Sequence, residues 1–172
     1  MDQPEIQTRE GAMDFVLEST SFRNHGEIPQ RHTCDGEDVS PPLAWRGTPP
    51  GTISLALIVD DPDAPDPNAP QMVWVHWVVC NLPARLEALP EGASGTLPSA
   101  AVEGVNDFHG QGWRGPCPPI GRHRYFHKLY ALDCQLEPAG PITKPDLERM
   151  MIAHVLAKAE LVGTYRRFDQ PG

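Results

Sequence analysis

Five side chains have the types and spacing to do chemistry: Asp61, Asp63, His76, His123 and Tyr125. The two carboxylates stand two residues apart, so in extended backbone both leave the chain on the same side. Pro62 and Pro65 stiffen the segment that carries them. His76 sits inside an apolar run, between Val75 and Trp77. His123, Arg124 and Tyr125 follow a Pro/Gly-rich stretch; in a strand, alternation puts His123 and Tyr125 on one face and Arg124 on the other. A carboxylate beside an imidazole raises the imidazole pKa and fixes its tautomer. An imidazolium held in this way, with a tyrosine hydroxyl and loop N–H groups near it, suits a phosphate or carboxylate oxyanion.

Singly, each of these residues has an ordinary reading. A lone histidine in an apolar strand is more often a hydrogen-bonded core residue than a functional group, and Asp-Pro pairs are common turn punctuation. The combination is more telling, because every member lies at the edge of a strong strand and next to a Pro-stiffened loop. Tyr130 and Trp77 read as core or rim aromatics, and His25, His32, His109, His127 and His154 as surface or packing residues. An enzyme is the alternative, since paired carboxylates with two histidines can serve acid–base catalysis or hold a divalent metal. Against it, the chain has no nucleophile elbow, no phosphate-cradling Gly loop followed by Lys, and no H-x-x-x-H pair. No catalytic residue, metal ligand or cofactor is therefore expected.

Strands must position these groups. Thr52 to Asp60 is β-branched and apolar on both faces, as a central strand is, and Met72 to Cys80 and His123 to Asp133 complete the set. Met13 to Glu18 reads as a first strand, and residues 26–51 and 81–121 as long irregular segments. Asp61 to Pro70, dense in proline, reads as a stiff turn outside any ladder. Near the C-terminus, Thr143 is an N-cap with Asp146 three residues on; Leu147, Met150, Met151, His154, Val155 and Ala159 follow at helical spacing, and Gly163 marks the stop. Leu161 to Phe168 reads as a final short strand. Residues 1–12 are expected to fray, and 13–172 to form one mostly-β domain with a C-terminal helix.

Composition limits the partners. A length of 172 residues suits one domain, and 20 prolines beside 15 glycines call for long ordered loops. A formal charge of −9 argues against nucleic acid and anionic bilayers, while leaving room for a locally positive pocket. Cys34, Cys80, Cys117 and Cys134 form no C-x-x-C pair, and the start shows no signal-peptide pattern; they read as free thiols in a reducing, cytoplasmic setting. No apolar run reaches the roughly 20 residues that a membrane span needs.

Several segments together resemble the phosphatidylethanolamine-binding protein family, in its bacterial Raf-kinase-inhibitor-like branch. They are Asp61-Pro62-Asp63-Ala64-Pro65, Val75-His76-Trp77-Val78-Val79, and Gly115-Pro116-Cys117-Pro118-Pro119 running into Gly121-Arg122-His123-Arg124-Tyr125. Ser40 to Trp45, Asn106-Asp107-Phe108, Leu129 to Asp133 and Gly163-Thr164-Tyr165 add to the likeness. The resemblance implies a β-sandwich-like fold with a large central sheet and a cavity for phosphoryl or similar anions. It maps the cavity onto Asp61, Asp63, His76, His123 and Tyr125, with Gly115 and Pro116 in the loop that closes one side. Family members are described as lipid-headgroup binders, kinase regulators and protease inhibitors. A non-catalytic binder of a small anionic ligand is the leading expectation, and a kinase or protease inhibitor acting through loops is a further class. The bacterial branch also implies a homodimer, for which an exposed aromatic-rich loop from Phe108 to Trp113 offers a surface. Two departures bear on the ligand: Asp66 replaces a small hydroxyl residue near the entrance, and Trp113-Arg114 either narrows the mouth or offers a cation.

Overall fold

Strand β4 (Ser54–Ala64) shows why its sequence is apolar on both faces. Leu55, Leu57 and Val59 pack into one core, while Ala56 and Ile58 pack into another on the reverse side. The computed structural model describes residues 14–167, so the expected N-terminal fraying, Met13 and Phe168 lie outside the described residues. Strands β1 (Val16–Glu18), β2 (Gly26–Glu27) and β3 (Leu43–Arg46) precede β4, with a short 3-10 turn at Gln30–His32. After β4 come β5 (Met72–Pro83), β6 (Ala88–Leu89), β7 (Val102–Glu103), β8 (His123–Leu132), helix α1 (Lys144–Met151) and β9 (Val155–Tyr165).

Six strands make the large sheet, in the order β2-β9-β8-β4-β5-β7, and three make the small one, β1-β3-β6. All pairings are antiparallel except β2 with β9. Leu17, Trp45, Leu57, Val59, Trp77 and Leu129 belong to the core shared by the two sheets. Ile58, Val78, Leu132, Ile142, Leu147 and Met151 belong to a second core beneath α1. The expected mostly-β architecture with a large central sheet is the one observed.

Two local expectations are corrected. Asp61 to Ala64 is no turn outside the ladder: β4 continues through it, with Asp61 opposite Trp74 and Ala64 opposite Met72. A register irregularity between those pairs takes up the extra residues around Pro62, which is how a proline is tolerated there. The helix is also shorter than its apolar spacing suggests. Thr143 does cap it through a complete capping box with Asp146, but it ends at Met151, and Ala153 turns the chain with φ +68°. Residues 155–165 then form β9 along β8, where Ala159 and Leu161 point inward and Lys158 and Glu160 outward. The competing signal was the alternation Ala157-Lys158-Ala159-Glu160-Leu161, a period of two that ten β8 partners reward more than a lone helix surface could. Gly163 is no helix stop; a Cβ there would meet Ile28 Cγ1 at 2.5 Å, so its role is close packing.

Cys34 and Cys117 are disulfide-bonded across 83 residues, leaving Cys80 and Cys134 free. The expectation of four free thiols is corrected, and cysteine usage no longer argues for a reducing compartment. The partners are set by two distant loops meeting, which their sequence spacing does not report.

Candidate functional site

A bulge in β5 aims His76. Trp77 pairs with Val59 and Val75 with Asp60, so His76 is the extra residue between them. Strict alternation would put His76 and Trp77 on opposite faces; the bulge lets His76 join the face that carries Tyr125, with ring centroids 5.2 Å apart. On β8 the alternation is regular: His123 and Tyr125 are buried and Arg124 is exposed. Asp61 lies on the same face and accepts from His123 Nδ1 at 2.6 Å. These four side chains line a cavity of about 360 Å³ whose other walls are apolar, among them Pro65, Met72, Trp74, Phe108, Pro118 and Pro119.

Each polar group has a definable state. His123 Nε2 faces the Ile120 carbonyl at 2.8 Å, so both ring nitrogens face acceptors and both must donate. Burial would lower its pKa, but the hydrogen bond and charge of Asp61 outweigh that and the pKa is raised. His76 differs. Its Nδ1 donates to the Arg114 carbonyl at 2.6 Å, and burial lowers its pKa, so the ring is neutral at pH 7 with its lone pair on Nε2. Tyr125 stays a phenol, because burial and then the charges of Asp61 and Asp63 push its pKa well up. Its hydroxyl is buried and has no hydrogen-bond partner among the described residues. The floor therefore combines a neutralised Asp61–His123 pair, one acceptor nitrogen and one unused hydroxyl donor.

Not every expected site residue reaches the cavity. Asp63 accepts from the backbone N, Nε and Nη2 of Arg124, at 2.9, 3.0 and 2.9 Å, and orients no histidine. Burial raises its pKa, but Arg124 outweighs that and holds the carboxyl below its usual range. Gly115 and Pro116 dock the wall and do not line it: Gly115 N donates to Asp38 at 2.8 Å, and the Pro116 carbonyl accepts from Cys34 N at 3.1 Å. The next residues, Cys117, Pro118 and Pro119, supply the wall itself.

Aromatic residues were the part that chemistry-first reading missed. Phe108 packs on Trp74 and His76 at 5.5 and 5.4 Å, held by a loop that Asn106 knits through Phe108 N, Gly110 N and the Gly112 carbonyl. Their signal was the position of Trp74, two residues before His76, and the Asn-Asp-Phe triplet. Trp113 does not narrow the mouth; it is buried edge-on against Trp77 at 5.6 Å. Arg114 stacks over Phe108 at 5.0 Å and pairs with Asp38 at 3.6 Å. The loop from Phe108 to Trp113 thus turns its rings inward, contrary to the expected exposed aromatic surface. Asp66 caps its own turn by accepting from Asn68 N.

Among the described residues, the one set of His, Cys, Asp or Glu donors spaced for a metal is Asp133, Cys134 and His154, which does not line this cavity. Among the described residues no helix is long and apolar enough to cross a membrane.

Residues 18–166 match the family model described as phosphatidylethanolamine-binding protein. A UPF0098 protein of the archaeon Methanothermobacter thermautotrophicus is 49% identical over 153 residues, covering 88% of this chain and 98% of its own. A phosphatidylethanolamine-binding protein homologue from Chlamydia trachomatis superposes with a TM-score of 0.82 at 39% identity, over 89% of this chain and 97% of its own. Escherichia coli YbcL, described as a member of the mammalian family, gives 0.81 at 35% identity, over 90% and 99%.

Proposed function

Because the chain belongs to the phosphatidylethanolamine-binding protein family, we propose that it is a non-catalytic binding protein for a small ligand with an oxyanion head and an apolar or aromatic body. The observation that carries this reading is the contrast within the cavity: Tyr125 hydroxyl and His76 lie at the floor, and Trp74, Phe108 and Pro118 form the walls. The head, a phosphate or carboxylate, accepts from Tyr125 and shares a proton with His76 Nε2, while the His123 imidazolium cancels the Asp61 carboxylate that would otherwise repel the anion. The body packs on the aromatic wall, where each buried aromatic contact contributes about 1 kcal/mol.

An amide NMR titration with phosphorylethanolamine, and separately with inorganic phosphate, tests this on wild type and His76→Ala. Saturable shifts confined to residues around His76, Phe108 and Tyr125, and lost in the variant, are expected. No shifts at millimolar ligand would sink the oxyanion reading and favour regulation through a protein partner.

A further inference from the structure

The chain has only three lysines against eleven arginines, and all three lysines converge on one recess. The recess holds about 290 Å³ and lies on the reverse face of the large sheet from the cavity described above. The geometry of the strands makes it so. Ala56, Ile58 and Asp60 share the face of β4 that packs under α1, where Lys128 of β8 stands opposite Ile58 and Phe126 opposite Asp60. Lys158 and Glu160 come from β9, and Lys144 from the start of α1.

The charges there do not balance. Asp60 is buried at 1% exposure and needs one counterion, yet its Oδ2 receives two: Lys144 Nζ at 2.7 Å and Lys128 Nζ at 3.0 Å. Both lysine side chains are themselves largely withdrawn from water, at 16% and 20% exposure. Lys158 adds a third ammonium to the rim and pairs with Glu160 at 3.4 Å. At Asp60 two ammoniums thus face one carboxylate, and the excess charge sits where solvation is poor. Poorly solvated charge is normally matched by an opposite charge. Lysine suits the task, since a compact ammonium lets several cations crowd one point as the planar arginine fork does not. Phe126, Val73 and Pro62 supply apolar walls beside the cations.

We propose that this recess is a second, independent site for a small anion, whose carboxylate, phosphate or sulfate group completes the charge of Lys128, Lys144 and Lys158 around Asp60. A short apolar stem on the ligand would lie against Phe126 and Val73. The site shares no side chain with the first cavity, since Asp60 and Asp61 leave β4 on opposite faces.

Selective 15N-lysine labelling gives three backbone signals, one for each wall of the recess. Sodium sulfate is the probe, because its charge stays constant across neutral pH, with sodium chloride at matched ionic strength as reference. All three signals are expected to move together and saturate with sulfate, and the chloride series not to saturate. Lys158→Met, at an exposed position, and Lys128→Met are each expected to weaken sulfate binding about tenfold. His76→Ala is expected to leave it unchanged, which separates this site from the proposed function of the first cavity. Identical, non-saturating drifts in sulfate and chloride would overturn the proposal, as would unchanged sulfate affinity in both lysine variants.

Discussion

Asp61 keeps His123 protonated while burial leaves His76 uncharged, so two histidines lining one cavity have opposite proton states. Stability follows from the first. The pKa of His123 is raised on folding, so its contribution is complete below the unfolded value of about 6.5 and is lost as pH rises through the folded value. Asp61→Asn removes that partner from a fully buried imidazole and is expected to cost about 3 kcal/mol at pH 6, with a smaller gap to wild type at pH 9. Urea unfolding at the two pH values measures both; an equal gap would mean the pair is not ionic. Binding follows from the second. The pKa of free His76 is lowered, and an anion at Nε2 raises it again, so binding takes up a proton. Affinity for phosphorylethanolamine should therefore be highest in acid and fall between the free and bound pKa values of His76, with a further fall where His123 loses its charge. Calorimetric titrations from pH 5 to 9 would expose a flat profile if neither ring takes part. These residues were legible as a set in the sequence, because their types and flanking prolines are local facts. Their proton states were not, because they depend on the Arg114 and Ile120 carbonyls, which no residue type announces.

Elements show a different boundary between the legible and the hidden. The long strands could be read from their β-branched runs, and the N-terminus of α1 from Thr143 and Asp146. The bulge that turns His76, and the passage of β4 through Pro62, are products of two strands in register and leave no local mark. Helical spacing after Met151 was a coincidence that the β8 edge overrode. Gly115 carries the clearest element-scale prediction. A Cβ at this position would meet the His32 carbonyl oxygen at 2.0 Å, a backbone atom that has no rotamer to escape into. Gly115→Ala is thus expected to push the 115–119 segment away from the 30–38 loop, costing about 1–3 kcal/mol by overpacking. Since Pro118 and Pro119 ride on that segment, ligand affinity should fall with stability. A variant that lost stability and kept full affinity would show that the wall moves independently of its anchor.

At the scale of the molecule, one sheet separates two differently built faces. The sandwich side carries a cavity with a balanced ion pair beneath aromatic walls, and the helix side carries a recess with surplus positive charge on a chain of net charge −9. The Cys34–Cys117 bond belongs to the first face. It joins the loop after β2 to the segment that lines the cavity, and Cys117 itself is in the lining. Closing a loop of this length restricts the unfolded chain by about 4.5 kcal/mol in the chain-entropy view. Cys34→Ser/Cys117→Ser is expected to lower the urea midpoint accordingly, and an unchanged midpoint would mean that the hydrogen bonds of Asp38 and Pro116 hold the loops unaided. The placement of that bond has a thermodynamic corollary. If reduction loosens the wall and thereby weakens ligand binding, then by reciprocity the ligand must make the bond harder to reduce, by the same factor. An occupied cavity would thus protect its own covalent clasp, and the molecule would record the presence of ligand in the oxidation state of two sulfur atoms.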